Sequence, residues 1–156
     1  MLLPELNFPK INTRFQNNDK EILQIFDIVR KKFVVLTPEE WVRQHVIHFL
    51  INFKRVPISC MAIEKQLILN NTKRRTDILI YNTSLHPVLI VECKSSDVNI
   101  NQETINQALR YNLELKVPYV FLSNGLKHIC LQLNTMEPII LEDVPDYHLL
   151  NHTSNL

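Results

Sequence analysis

The chain contains one glycine in 156 residues, Gly125, and this scarcity limits what it can fold into. Average proteins contain about 7% glycine. A Walker A phosphate-binding loop needs two glycines followed by Lys and Ser or Thr, and the dinucleotide-binding fingerprint needs three glycines. Because Leu126 follows Gly125, the sequence excludes both loops. The chain by itself is therefore neither a P-loop ATPase or helicase motor nor a Rossmann dehydrogenase.

Composition and charge indicate a globular chain. Apolar residues make up 46% and the net charge is +1, so bulk electrostatics does not mark a nucleic-acid binder. The three cysteines form no CxxC pair, which favours reduced thiols. No apolar run of 18 residues exists and the first ten residues lack a signal-peptide core, so we expect a single cytoplasmic domain without a membrane contact.

The apolar pattern divides the chain into three parts. We predict an α/β domain at residues 31–145, a small appendage at 1–30 and a C-terminal tail at 146–156. The appendage is interpreted as two short strands around an Asn-rich turn, the arrangement of a hairpin, with a helix from Glu21 as the alternative. The polar end of the tail, from Asn151 onward, is expected to fray.

The sequence contains signals for one helix before and one helix after a group of strand-like runs. Thr37 as N-cap, Pro38 at the first helical position and Glu40 as capping-box partner predict that a helix begins here. A second helix is predicted at 102–115, with Leu113 among the residues on its core face. Strands are predicted at 60–69, 75–81, 87–94, 119–123 and 128–133.

Polar residues embedded in two of these strands are the most informative feature. If Tyr81 pairs with Val88 in an antiparallel hairpin, Asp77 lies opposite Glu92 on the same face of the sheet. Their Cβ atoms would then be roughly 4.5–5.5 Å apart. Two buried carboxylates at that separation need a cation or a shared proton. Lys94 points to the same face by strand alternation.

This arrangement suits phosphodiester chemistry. A pair of carboxylates with an open side fits Mg²⁺, for which Mn²⁺ is expected to substitute, and the ion activates water and polarises a phosphate. Lys94 could orient the attacking water or offset charge on the phosphate. The structural alternative pairs Glu92 with Lys94 and Asp77 with Arg75, and a one-residue slip in register would separate the carboxylates.

The string TDILIYNTSLHPVLIVECKSS resembles the D…ExK half of the PD-(D/E)xK nuclease superfamily, with Asp77, Glu92 and Lys94 at the motif positions. Thr76 stands where the motif's name has proline. Over residues 25–145 the chain resembles the N-terminal nuclease region of type I restriction enzyme R subunits. The strings that carry this wider resemblance are FDIVRKKFVVLTPEEWVRQH, RRTDILIY, LIVECK, QALRYN and VPYVFLSNG.

The resemblance implies a restriction-endonuclease-like core, in which helices flank a mixed central sheet. The predicted order of helix, three strands, helix and strand agrees with that core. The implied activity is that of a Mg²⁺-dependent endonuclease acting on DNA, with other restriction-modification subunits as partners. Cutting both strands would favour a homodimer. The alternative is a non-catalytic nucleic-acid or protein-interaction module that keeps the fold.

The resemblance also implies an acid from the first helix and a glutamine from the second. Glu39 is the better candidate than Glu40, because its spacing to Val42 predicts the buried face whereas Glu40 serves the cap. Its alternative role is helix-dipole compensation. Gln107 is expected to face the metal pocket or the phosphate, and the alternative is a surface residue beside Tyr111.

Basic residues at 73–75, directly before Asp77, could hold DNA phosphates. A solvated turn explains the same cluster equally well.

Overall fold

A computed structural model describes residues 3–69 and 71–153. The helices of this part of the chain are α1 (Pro38–Asn52), α2 (Gln102–Leu115) and α3 (Tyr147–His152), and a 3-10 turn covers Ile58–Cys60. The strands are β1 (Phe15–Asn17), β2 (Leu23–Asp27), β3 (Lys32–Val35), β4 (Met61–Ile63), β5 (Gln66–Leu69), β6 (Thr72–Arg75), β7 (Ile78–Tyr81), β8 (Pro87–Cys93), β9 (Tyr119–Ser123), β10 (His128–Gln132) and β11 (Ile139–Leu141).

A six-stranded mixed sheet in the order β11-β10-β9-β8-β7-β4 forms the centre of the molecule. The central pair β8 and β9 is parallel, because α2 connects them as a crossover, and the other pairs are antiparallel. Successive β8 residues face opposite layers: Leu89 packs in the cluster that contains α1 and α3, and Ile90 in the cluster that contains α2. The predicted α/β fold class is confirmed, because helices flank a mixed central sheet on both faces.

The predicted helix starts are observed. Thr37 caps α1, since its hydroxyl accepts a hydrogen bond from the backbone N–H of Glu40 at 3.0 Å. The second helix has its predicted bounds, because Asn101 caps its beginning and Lys116 ends it in the left-handed conformation at φ 52°. Leu113 is 75% exposed, so its predicted place on the core face of α2 is wrong.

Two predicted strands are each divided into two. Glu64 takes a left-handed φ of 52° and breaks the run predicted at 60–69, so that β4 stays in the central sheet. The chain leaves that sheet to form β5 and β6, a separate two-stranded hairpin, and returns at β7. The resulting hairpin carries the basic cluster at 73–75 on an exposed strand.

The appendage forms an antiparallel three-stranded sheet of β1, β2 and β3. Glu21 has a φ of 56°, which does not allow the helix that was the alternative there. The sheet crosses the predicted boundary after residue 30, because β2 pairs with β3.

Helix α3 occupies most of the segment predicted as a tail. Leu150 is fully buried against the sheet and Tyr147 is 8% exposed. Asn151 and His152, at the polar end expected to fray, form the last turn of α3, and residues 154–156 lie outside the described residues. In the described residues, no helix has the length and apolar character needed to cross a membrane.

Candidate active site

The β7–β8 register brings the two predicted carboxylates together. Ile78 pairs with Val91, so Asp77, immediately before β7, lies opposite Glu92. This is the register that the sequence predicts for the carboxylates, and it holds through the next two pairs of the ladder.

The pair from which that register was inferred is itself wrong. A bulge between Ile80 and Tyr81 shifts the ladder, so that Tyr81 pairs with Pro87 and not with Val88. Because the bulge lies at the far end of the hairpin, it does not displace Asp77 from Glu92.

Both oxygens of Asp77 accept hydrogen bonds from other parts of the fold. The Arg43 Nη2 donates to Oδ1 at 2.6 Å, and the backbone N–H of Cys93 donates to Oδ2 at 2.7 Å. The side chain is 15% exposed. Helix α1 and strand β8 therefore fix the orientation of this carboxylate.

Glu92 has a pKa raised to about 8. Burial is the largest cause, followed by the negative charge of Asp77, and a hydrogen bond with Asp77 raises the pKa further, whereas Lys94 lowers it. Near neutral pH and without a cation, Glu92 therefore favours its protonated form. This is one of the two conditions under which facing carboxylates are stable.

The first-helix acids are arranged differently from the prediction. The Glu40 side chain is 7% exposed and the Glu39 side chain 44%, so the expectation that Glu39 lies on the buried face is wrong. The reason is that the Glu40 carboxylate pairs with Arg30 of the appendage, which packs over this side of α1. Glu39 still borders the site: it accepts a hydrogen bond from Arg43, and its pKa is raised by burial first and then by Asp77.

A cleft of about 570 Å³ lies between strand β6 and helix α2. The side chains of Glu92, Lys94 and Gln107 line it, whereas those of Asp77 and Glu39 do not. Its other lining residues are Thr72, Arg74, Arg75, Thr104, Ala108, Arg110, Tyr111, Glu114 and Leu122.

The ion pairs of the structural alternative are not formed among the described residues. Asp77 pairs with Arg43 instead of Arg75, and Arg75 lies 3.5 Å from Glu64. Lys94 has no carboxylate within ion-pairing distance in this part of the chain, although its charge lowers the pKa of Glu92.

The donor set fits a hydrated hard cation. Within residues 3–69 and 71–153, no group of three or more His, Cys, Asp and Glu side chains is placed to enclose a metal ion. Asp77 and Glu92 offer two carboxylates, which is the protein contribution that Mg²⁺ ordinarily takes while keeping several waters. The pair therefore fits Mg²⁺ better than a metal that needs a closed cage.

Arg43 is the site residue that sequence reasoning missed. It is 4% exposed and donates to Glu39, Glu40 and Asp77. The available signal was its spacing of three and four residues from the two acids on one helix. An arginine beside two glutamates is ordinarily interpreted as a solvated ion pair, so the pattern alone does not indicate burial.

Comparisons with known proteins give a family match and a similar solved structure. No curated protein was found to match the chain. The similar structure is the fragment assigned to an HsdR subunit of a type I restriction enzyme from Vibrio vulnificus YJ016, with a TM-score of 0.42 and 21% identity. The match covers 58% of this chain and 17% of that one.

Residues 38–145 match the family described as Type I restriction enzyme R protein N terminus (HSDR_N), which spans both flanking helices and all strands around the cleft. The chain therefore belongs to the family of type I restriction enzyme R protein N-terminal regions.

Proposed function

We propose that this chain is a PD-(D/E)xK nuclease domain that hydrolyses phosphodiester bonds of DNA with Mg²⁺ as cofactor. The observation that carries the proposal is the facing pair Asp77 and Glu92, in which burial and the charge of Asp77 raise the pKa of Glu92, beside a cleft lined by Glu92 and Lys94. Two carboxyl groups held this way are costly to the fold, which is why such pairs cluster at functional sites. Membership of the restriction-enzyme family supports the same conclusion.

Asp77 and Glu92 would hold the metal ion, which would take the place of the proton on Glu92. Bound there, Mg²⁺ or Mn²⁺ would lower the pKa of water and neutralise phosphate charge. Asp77 contributes from a fixed orientation, because Arg43 and the Cys93 N–H occupy one lone pair on each of its oxygens. A carboxylate has about four lone-pair sites, so room for a cation remains.

The other predicted residues act on the water and the phosphate. The Lys94 ammonium is free of ion pairs in the described part of the chain, so it is available to hold the attacking water or the phosphate oxygens. Gln107, on the exposed side of α2, can donate its amide N–H to a phosphate oxygen. Glu39 lies beside Arg43, where its 44% exposed carboxylate can accept a hydrogen bond from water.

The cleft walls favour a polyanionic substrate. Arg74 and Arg75 project from β6 on one side, and Arg110 projects from α2 on the other. A DNA strand between these walls would meet guanidinium groups from both, and this contribution to binding would weaken with salt. From the family we infer that other restriction-modification subunits are partners. Cutting both strands of DNA would favour a second copy of the chain.

The test is cleavage of supercoiled plasmid by the purified protein in Mg²⁺, Mn²⁺ or EDTA. We expect nicking with either ion and none in EDTA, and we expect Glu92→Gln to abolish it because an amide is a poor ligand for a hard cation. Glu137→Gln is the matched control, since Glu137 is exposed and remote in sequence from the site. DNA binding without cleavage under every condition would instead support the non-catalytic module.

A further inference from the structure

A buried network of ion pairs joins the N-terminal sheet to the site. Arg30 lies in the turn between β2 and β3, outside the family match at 38–145. Its Nε donates to Asp27 Oδ2 at 2.7 Å, its Nη2 to Glu40 Oε1 at 2.8 Å and its Nη1 to Glu64 Oε2 at 2.7 Å. One guanidinium thus ties the appendage, helix α1 and the turn after β4 together.

The second half of the network reaches Asp77. Glu40 accepts from Arg30 on Oε1 and from Arg43 Nη1 on Oε2. Arg43 Nη2 then donates to Asp77 Oδ1 at 2.6 Å. The Gln44 side-chain amide also donates a hydrogen bond to Glu40 Oε1, at 2.8 Å.

The members of this path are shielded from water. The side chains of Asp27, Glu40 and Arg43 are 0%, 7% and 5% exposed. Charge-assisted hydrogen bonds in such surroundings are strong and directional, and a broken one leaves an uncompensated buried charge. Each member therefore has one well-defined orientation.

We propose that Arg43 and Arg30 are positioning residues for Asp77. Arg43 sets the orientation of the carboxylate directly, and Arg30 holds Arg43 through Glu40. The N-terminal sheet is thereby part of the catalytic unit, although it lies outside the family match. The consequence for metal binding rests on the proposed function.

A purely electrostatic role of Arg43 and a positioning role predict opposite changes in metal affinity. Arg43 is a cation beside two carboxylates, so if charge alone mattered, its removal would tighten the binding of a divalent cation. Positioning predicts weaker binding, because Asp77 would lose its fixed orientation. Substitution of arginine by lysine keeps the charge and removes the planar fork that joins several carboxylates, so it isolates positioning.

The experiment compares Arg43→Lys and Arg30→Lys with the control Arg14→Lys. Arg14 is exposed and packs its guanidinium 3.9 Å from the ring centroid of Phe26 in the same sheet. Two quantities are measured at a temperature where every variant is folded. The first is the chemical shift and exchange rate of the Cys93 amide by NMR without metal, and the second is the Mn²⁺ dissociation constant by calorimetry.

We expect faster exchange of the Cys93 amide in both test variants, since its acceptor is Asp77 Oδ2. Mn²⁺ binding should weaken about 10-fold or more in Arg43→Lys, the scale of losing a partner of a metal ligand. Arg30→Lys should weaken it about 3-fold, as expected for a residue two contacts further away, through Glu40 and Arg43. Arg14→Lys should change neither quantity.

A further variant separates positioning from general destabilisation. Ile25→Ala opens a cavity in the same sheet at a fully buried residue that contributes no charge to the network. It should lower stability and leave the Cys93 amide and the Mn²⁺ affinity unchanged. If Arg43→Lys does not fold, Arg30→Lys, which does not contact Asp77, carries the test.

The proposal is overturned if both test variants keep the amide exchange and Mn²⁺ affinity of the unsubstituted protein, or if Ile25→Ala changes them equally. Absence of Mn²⁺ binding in the unsubstituted protein overturns the proposed metal site instead. The Cys93 amide, which is measured without metal, then still decides whether Arg30 and Arg43 position Asp77.

Discussion

Replacing Glu92 by glutamine should remove a pH dependence that this carboxyl group imposes on folding. The folded-state pKa of Glu92 is about 8, against an ordinary value of 4.5. Between these values the folded protein keeps a proton that the unfolded chain has released, so stability falls as the pH rises. The side chain introduced by Glu92→Gln would imitate the protonated acid, since its amide can donate to Asp77 and does not titrate.

The magnitude of this pH dependence follows from the titration of one proton. For one proton, the free energy of unfolding changes by at most about 1.4 kcal/mol per pH unit. From pH 5.5 to 7.5 the unsubstituted protein should therefore lose about 3 kcal/mol of stability relative to Glu92→Gln. For a chain of 156 residues this corresponds to a difference of about 6–12 °C in Tm. The absolute curves contain a contrary contribution, because burial lowers the pKa of His45, His48 and His128. These histidines destabilise the fold as the pH falls below about 6.5. Because both proteins contain them, this contribution cancels in the difference in stability between Glu92→Gln and the unsubstituted protein.

The assay is urea unfolding in EDTA at three pH values across this interval, with Glu137→Gln as the control. The difference in the free energy of unfolding between Glu92→Gln and the unsubstituted protein should grow with pH. Saturating Mn²⁺ should flatten the curve of the unsubstituted protein, because the ion replaces the proton on Glu92. Parallel curves in EDTA would show that Glu92 is ionised at neutral pH, which would contradict its raised pKa.

Three further predictions follow from the same contacts. Measured by scanning fluorimetry, Mn²⁺ should raise the Tm of the unsubstituted protein and leave the Tm of Asp77→Asn unchanged. An equal rise in both Tm values would exclude Asp77 as a ligand. Glu40→Ala should lose about 1–3 kcal/mol of stability, because Arg30 and Arg43 would each lose one charge-assisted hydrogen bond while keeping their other carboxylate partners. Glu39→Ala should lose little stability and impair cleavage. Urea unfolding and plasmid cleavage distinguish this from the reverse pattern. Gly125→Ala should destabilise the fold by about 1 kcal/mol or more, because Gly125 has a φ of +85° and a Cβ there would lie 2.7 Å from a methyl of Leu6. An unchanged midpoint of urea unfolding would contradict this prediction.

Elements with their own local signals were predictable from the sequence. Helix α2 has the predicted bounds because the Asn101 cap and the apolar spacing define it without help from the rest of the fold. Strand β8 was predictable because it is buried on both faces, and a continuous apolar run indicates such a strand. The facing of Asp77 and Glu92 followed from strand alternation and one assumed register.

Features fixed by tertiary contacts were not predictable. The left-handed Glu64 that divides the strand at 60–69 has no local sequence signature. Arg43 and Glu40 are buried because the appendage packs over α1 and supplies Arg30, which the helical pattern alone does not reveal. Leu150 is buried because helix α3 packs against the sheet, within the segment 146–156 that was predicted to be a tail.

Lys94 provides the most direct test of catalysis at this site. Lys94→Ala and the control Lys20→Ala, at an exposed turn in the appendage, would be compared for Mn²⁺ binding, DNA binding and plasmid cleavage. An ammonium is no metal ligand, and DNA affinity is spread over several basic residues, so Lys94→Ala should keep its fold, its Mn²⁺ binding and most of its DNA affinity. Cleavage should fall by about 10² to 10³, the scale of removing one electrostatic donor from a transition state. Cleavage by Lys94→Ala at the rate of the unsubstituted protein would contradict the account.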